Sequence, residues 1–256
     1  METIITKKRS ASNYKMNRYS YTATIVPVIT AEPVPVRTLR KTARVAGMLY
    51  LLTFVSIPTL ALYRSIHRAN YVTGTGPDTA AIIGGLLEII VALAGIGTAV
   101  VLYPVLKRQS ESLALGLVAS RILEAGTMFA GVAFILSIVT LRQAGTGMEG
   151  LATSHALVTL YDRIFLLGQS FMPALNDLLL GFLLYQSRLV PRTLSLIGMI
   201  GAVPLIIAYI AVLFGLIGQH DPLAGWAALL VALFEFSLGI YLVVKGFKPS
   251  VITKDT

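Results

Sequence analysis

Long apolar stretches alternate with short polar connections along most of this 256-residue chain. A helix rises about 1.5 Å per residue, so crossing a hydrocarbon core of about 30 Å takes about 20 mainly apolar residues. Six stretches of this kind predict transmembrane helices over residues 44–63, 79–106, 112–141, 156–185, 193–217 and 223–244. A lipid-exposed backbone must satisfy its hydrogen bonds within one segment, and the roughly ten-residue alternation of barrel strands is absent. The predicted fold is all-α, a polytopic membrane protein built as a six-transmembrane-helix bundle.

The basic residues are distributed unevenly between the two ends of the predicted spans. Of the 21 Lys and Arg residues, sixteen lie in the N-terminal region, the even-numbered connections or the C-terminal region. Only Arg64, Arg68 and Arg142 lie on the opposite side, while Arg121 and Arg163 fall within spans. Because Lys and Arg concentrate in cytoplasmic loops, we predict that the N-terminus and the C-terminus are both cytoplasmic.

Three regions follow from this pattern. Residues 1–38 contain Ser, Tyr, Thr and Pro without a long apolar stretch and predict a mobile cytoplasmic N-terminal tail. Residues 39–247 form the membrane domain, and 248–256 form a short cytoplasmic C-terminal tail. Arg37, Arg40, Lys41 and Arg44 precede the first span, where they would face anionic lipid headgroups.

Composition supports the membrane prediction and excludes several other classes. Charged residues make up 13% of the chain, whereas soluble domains usually carry about 25%. The net charge of +9 would indicate nucleic-acid binding in a soluble protein. Here cytoplasmic loops account for it, so the lipid bilayer is a predicted partner and nucleic acid is not. The absence of Cys excludes disulfides, thiolate metal sites and palmitoylation.

Several ionisable residues fall inside the predicted spans: Glu88, Arg121, Glu124, Asp177 and Glu235. A charged side chain at the bilayer centre costs about 3 kcal/mol or more, so each one needs a reason. In a structural interpretation, Arg121 pairs with Glu124, three residues away on the same helix face, or with a neighbour, and locks the bundle. In a functional interpretation, unpaired acids line a wet cavity and bind protons or cations. The residues alone leave both interpretations open.

The fourth span carries an unusual polar stripe. Gln169, Pro173, Asn176 and Asp177 fall on one face at helical spacing. Proline frees the carbonyl four residues earlier, at Gln169, where with Asn and Asp it would coordinate an ion or a polar ligand. The alternative is a buried face whose polar side chains bond to neighbouring helices. The candidate intramembrane polar site is therefore Glu88, Arg121, Glu124, Gln169, Asn176, Asp177 and Glu235.

Recognised catalytic and cofactor motifs are absent. The sequence contains neither a nucleophile elbow nor an H-E-x-x-H motif, and its Gly-rich loops lack a Walker lysine. His67, His155 and His220 come from three different outer loops without a close-spaced pair, which disfavours a zinc site. We predict no catalytic residue, no cofactor and no metal.

Three segments resemble a bacterial membrane family catalogued as domain of unknown function 4386. They are Arg-Val-Ala-Gly-Met-Leu-Tyr-Leu at 44–51, Arg-Ile-Leu-Glu-Ala at 121–125, and Asn-Asp-Leu-Leu-Leu-Gly-Phe-Leu-Leu-Tyr-Gln-Ser-Arg-Leu-Val-Pro-Arg at 176–192. The resemblance covers roughly residues 40–245, and the last segment is the most specific. It implies a multi-pass protein of the bacterial cytoplasmic membrane and, because the family carries no established activity, adds no site residues.

The leading functional prediction is a small transporter or channel-like protein, or a helper of one, with a polar, acid-rich interior. Its ligand would be a proton, a cation or a small polar molecule, and the bundle would self-associate into a homo-oligomer. The alternative is a non-catalytic membrane sensor, scaffold or partner subunit. A membrane-embedded enzyme is the least favoured class.

Overall fold

The computed structural model describes residues 36–219 and 221–250 of the chain, and within these ranges every regular element is helical. Six long helices are present: α1 Val36–Thr53, α2 Thr79–Leu106, α3 Glu111–Gln143, α4 Gly150–Ser187, α5 Arg192–Leu213 and α6 Pro222–Val244. The all-α prediction is thereby confirmed for the described part of the chain. The predicted tails lie largely outside it, at residues 1–35 and 251–256, as does His220.

Five of the helices, α2 to α6, are long and apolar enough to cross a membrane. Their lengths and compositions are those of a multi-pass membrane protein. Helix α1 is not among these five. It has 18 residues and carries four basic residues in its first half, Arg37, Arg40, Lys41 and Arg44.

The helix predicted over residues 44–63 is continuous only as far as Thr53. It is followed by 3-10 turns at Phe54–Ser56 and Tyr63–Ser65 and a single α-helical turn at Thr59–Leu62. Because Pro58 has no N–H, the carbonyl of Phe54 accepts a hydrogen bond from Ile57 instead, at 3.2 Å. The Thr53 hydroxyl also donates to the carbonyl of Tyr50, at 2.7 Å. Proline therefore interrupts this segment, where the sequence predicted only a kink.

The six helices form a closed ring in chain order. Each packs mainly against the helices that precede and follow it, and α6 packs against α1 to close the ring. Two ends can be distinguished by their charge. The basic end comprises residues 36–44, 107–110, 188–192 and 245–250, and the distal end comprises residues 63–78, 142–149, 214–219 and 221–222.

The largest apolar core fills the basic half of the ring. It includes Tyr50 from α1, Leu102 from α2, Leu117 from α3, Leu183 from α4 and Leu238 from α6, each at most 1% exposed. At the basic end, the backbone N–H of Lys248 donates to the carbonyl of Leu189 at 2.7 Å, and the Ser250 hydroxyl donates to the carbonyl of Ser187. This half of the bundle is closed by packing.

The contact between α1 and α6 that closes the ring depends on two glycines. A Cβ atom added to Gly47 would lie 2.6 Å from the carbonyl oxygen of Gly239, and one added to Gly239 would lie 3.2 Å from the carbonyl oxygen of Gly47. Small residues at such crossings let two backbones approach closely. No other residue type fits this crossing without separating the helices.

We expect Gly47→Ala to destabilise the protein by about 1–3 kcal/mol, because the added methyl group meets backbone atoms that cannot move alone. Gly116→Ala is the matched control, since an added Cβ there meets nothing within 4 Å. The control should be neutral or slightly stabilising, as expected for Gly to Ala in a helix. Unfolding midpoints of the purified variants in detergent measure both effects. Equal midpoints for the two variants would contradict a close glycine crossing.

Candidate functional site in the centre of the ring

A cavity of about 390 Å³ occupies the middle and distal parts of the ring. All six helices contribute to its lining, among them Thr53 on α1, Gly95 on α2 and Met128 on α3, together with Gln169 on α4 and Tyr209 on α5. Its size falls at the lower end of the range for small-molecule sites. The described charged residues that line it are Arg121, Glu124 and Glu235.

Arg121 forms the centre of the charged cluster at the inner end of the cavity. One terminal nitrogen donates to Glu124 Oε2 at 3.0 Å, and the other donates to Glu235 Oε1 at 2.5 Å and to the Tyr50 hydroxyl at 3.5 Å. The guanidinium also lies 5.6 Å from the centre of the Tyr50 ring. The cluster therefore joins α3 to α1 and to α6.

Asn176 brings α4 into the same network. Its amide nitrogen donates to Glu124 Oε2 at 2.7 Å, and its carbonyl oxygen accepts from the Ser120 hydroxyl at 2.6 Å. Ser120 and Glu124 lie one helical turn apart on α3, so both reach the same side chain of α4. Asn176 is completely buried, and these bonds account for its burial.

Asp177 is the exception in this network. It is completely buried, and neither of its carboxyl oxygens has a hydrogen-bond partner within the described residues. It does not line the cavity, yet it lies close enough to interact electrostatically with Glu235, Arg121 and Glu124. A buried carboxyl group without a partner is costly, and such groups in native proteins call for an explanation.

A second acidic cluster lies beside the cavity, between α2 and α4. Glu88 is completely buried, and its Oε1 accepts from the Tyr161 hydroxyl at 2.9 Å and from the Gln169 amide at 3.2 Å. Among the described residues, no donor lies in standard hydrogen-bond geometry at its Oε2, and the Tyr63 hydroxyl lies close enough to interact with this carboxylate. Gln169 also lines the cavity, so a single side chain separates Glu88 from it.

A π-helical segment at Leu166–Phe171 interrupts the α-helical geometry of α4 in the middle of the ring. Pro173 follows it and cannot donate a backbone hydrogen bond to the preceding turn. The wider π turn changes the helix phase and allows Tyr161 and Gln169, two turns apart, to reach the same carboxylate. Segments of this kind occur frequently at functional sites.

The structure thus distributes the predicted polar residues over two neighbouring clusters. Arg121, Glu124, Asn176 and Glu235 are joined by hydrogen bonds, and Asp177 adjoins them. The remaining predicted residues, Glu88 and Gln169, bond to each other beside the cavity. Four participating residues were not among the predicted ones: Tyr50, Tyr63, Ser120 and Tyr161. A single hydroxyl within an apolar stretch is a weak signal, although Tyr50 lies in the 44–51 segment and Ser120 directly precedes Arg121.

At the distal end, an ion pair between His67 and Asp162 links the segment after α1 to α4. His67 Nε2 lies 3.0 Å from Asp162 Oδ1, and Nδ1 lies 3.0 Å from the carbonyl oxygen of Tyr63. Each ring nitrogen thus faces a hydrogen-bond acceptor. Only the doubly protonated imidazolium carries an N–H on both nitrogens and can donate to both acceptors. The hydrogen bond to Asp162 accordingly raises the pKa of His67. Gln219, which lines the cavity, donates to the carbonyl of Asp162 at 2.9 Å.

A further network ties the distal loop to α3. Asp78 accepts hydrogen bonds from Tyr71 at 2.5 Å, from Arg142 at 3.1 Å and from Gln143 at 3.0 Å, and Arg142 also donates to the carbonyl of Gly76. Burial alone would raise the pKa of Asp78, but these donors and the Arg142 charge outweigh it and lower that pKa. The loop that precedes α2 is therefore fixed to the distal end of α3.

Comparison with protein families gives one match. The family described as Domain of unknown function (DUF4386) matches residues 45–246. The chain belongs to this family. The match includes every predicted site residue, the π-helical segment and both distal networks of this DUF4386 protein. No curated protein and no solved structure matches the chain.

The raised pKa of His67 makes the stability of this DUF4386 protein depend on pH. For a group whose pKa is higher in the folded state, the stabilising contribution is complete below the unfolded value of about 6.5. It is lost as pH rises through the folded-state pKa. We therefore expect the unfolding midpoint to fall over that interval, and His67→Gln to remove this component.

His155→Gln is the matched control, because His155 lies at the same end and its ring hydrogen-bonds to the carbonyl of Ala69 instead of to a carboxylate. Thermal unfolding of wild type and both variants across neutral pH checks the prediction. If the unfolding midpoints of wild type and His67→Gln depended on pH in the same way, the His67–Asp162 pair would not contribute to the pH dependence of stability.

Proposed function

We propose that this DUF4386 protein is a small transporter of the bacterial cytoplasmic membrane. It carries a proton, a cation or a small polar ligand through the centre of the ring. The observation that carries this proposal is the cavity whose inner end is formed by Arg121, Glu124 and Glu235, with closely packed apolar side chains beyond it. A central site open towards one side and closed towards the other is the arrangement that alternating access requires.

The proposed topology has six spans with both termini in the cytoplasm. Residues 44–63, the second part of α1 and the turns that follow it, form the first of these six spans despite the break at Pro58. Irregular backbone is tolerated at membrane depth where it lines a cavity, and Thr53, Phe54 and Ile57 line this one. The concentration of Lys and Arg at the basic end supports the cytoplasmic assignment of that end.

The charged cluster offers a mechanism for coupling. Arg121 bonds to two carboxylates on different helices, and a cationic cargo at Glu235 would compete with it. Asp177 is the neighbouring carboxyl group that has no hydrogen-bond partner among the described residues, and it would accept Arg121 when Glu235 is occupied. An exchange of Arg121 between these carboxylates would shift α3 against α4 and α6. Cargo binding would in this way favour a second arrangement of the ring.

A non-catalytic sensor or scaffold is the second candidate, and the pairing of Arg121 favours it. Both terminal nitrogens of this buried arginine are bonded to carboxylates, as a purely structural lock would require. Removing one partner of a buried pair costs about 3–5 kcal/mol, so such a lock holds the four joined helices in register. This role requires no movement of cargo.

Flux measurements in proteoliposomes distinguish the two candidates. We expect proton or cation flux in wild type, and at least a roughly tenfold loss in Glu235→Gln and Asp177→Asn, equivalent to about 1.4 kcal/mol. Glu149→Gln is the matched control, because Glu149 is exposed at the distal end and does not line the cavity. All variants are compared at equal amounts of folded protein.

Each of the other results has a definite meaning. Wild-type flux equal to that of empty liposomes, with both variants as stable as wild type, would reject proton and cation transport and favour the sensor or scaffold. If the variants no longer folded, the role of Glu235 and Asp177 would be to stabilise the structure. Flux that is unchanged in both variants would show that the cargo bypasses the charged cluster.

A further inference from the structure

The walls of the central cavity are mainly apolar and partly aromatic, in contrast to its charged inner end. Phe54 and Phe165 line it together with Val91, Leu205 and Val231. Hydrated ions gain nothing from such walls, whereas apolar groups of an organic ligand do. Aromatic faces additionally attract organic cations. The lining therefore favours a ligand that is apolar over most of its surface.

The charged end of the cavity carries more acid than base. Arg121 is shared between Glu124 and Glu235, which leaves one net negative charge when both carboxylates are ionised. Glu235 has the most exposed side chain of the three, at 14%, and only its Oε1 accepts a hydrogen bond from the described residues. Its other oxygen is available to a ligand in the cavity.

The same geometry disfavours other classes of ligand. An anion would need Arg121, but both terminal nitrogens of that residue are already bonded to carboxylates and its Nε is buried away from the cavity surface. A divalent metal such as Ca²⁺ takes six to eight oxygen ligands, and the described residues contain no group of three potential metal-binding side chains. A proton alone would not require a cavity of about 390 Å³.

We infer that the cavity binds an amphiphilic organic monocation, with its charged centre beside Glu235 and its apolar groups against the surrounding walls. This inference rests on the proposed function only in assigning the ligand site to the same cavity. Binding can be measured without transport, so the two proposals can fail separately.

The test measures binding of tetraphenylphosphonium to the purified full-length protein by equilibrium dialysis. Tetraphenylborate, which has nearly the same shape and the opposite charge, is the matched probe. We expect wild type to bind the phosphonium and not the borate, and Glu235→Gln to weaken phosphonium binding at least about tenfold. Glu149→Gln, at the exposed distal position, should bind like wild type.

A second variant keeps the test decisive if Glu235→Gln does not fold. Ala228 lines the cavity on α6 two turns before Glu235, so Ala228→Phe fills the cavity and leaves the charged cluster intact. It should abolish phosphonium binding. Equal binding of both probes, or equal phosphonium binding by wild type and Ala228→Phe, would overturn the inference.

Comparison with flux then separates the two proposals. Glu235-dependent proton or inorganic-cation flux without phosphonium binding would overturn the inference and uphold transport. Phosphonium binding that depends on Glu235, without flux of any cation tested, would uphold the inference and reject the transporter in favour of a ligand-binding sensor.

Discussion

The need to neutralise one buried arginine determines much of this structure. Arg121 is 4% exposed in the middle of a membrane protein and must find its partners within the ring. It finds them on α1, on its own helix and on α6, while Asn176 connects α4 to the same carboxylate. Each of these bonds requires a particular rotation of its helix. One charge thus orients four of the six helices.

Close packing of the ring supports that network geometrically. The backbone contact between Gly47 and Gly239 lies about one turn from Tyr50 on α1 and one turn from Glu235 on α6. Because the two helices run in opposite directions, both turns lead towards the distal end. The glycine crossing therefore sets Tyr50 and Glu235 at the level of Arg121. The cavity begins at this level and extends towards the distal end.

Much of the fold follows from hydropathy, whereas the site depends on how the helices are arranged. The five spans after the first could be predicted because length and apolarity are local properties. The Arg121–Glu124 pair could be predicted because residues three apart share a helix face. Arg121 and Glu235 are 114 positions apart in the chain. The contact between them depends on the spatial order and the rotation of α3 and α6, which sequence alone does not give. For the same reason, the sequence did not separate Glu88 from the other acids, and it gave no sign of the π segment that joins Glu88 to Gln169.

The excess of acids over bases bears on what the network does. A structural lock needs one carboxylate for one arginine, yet Arg121 has two bonded carboxylates, and a third, Asp177, lies beside them without a hydrogen-bond partner among the described residues. Burying an additional unpartnered acid lowers stability and adds nothing to a lock. Violations of packing and polar satisfaction in native proteins concentrate at functional sites. Arg121 interacts with all three carboxylates, and its Nε–H has no hydrogen-bond partner among the described residues. Pairings other than the observed one are therefore open to it, as the proposed coupling requires.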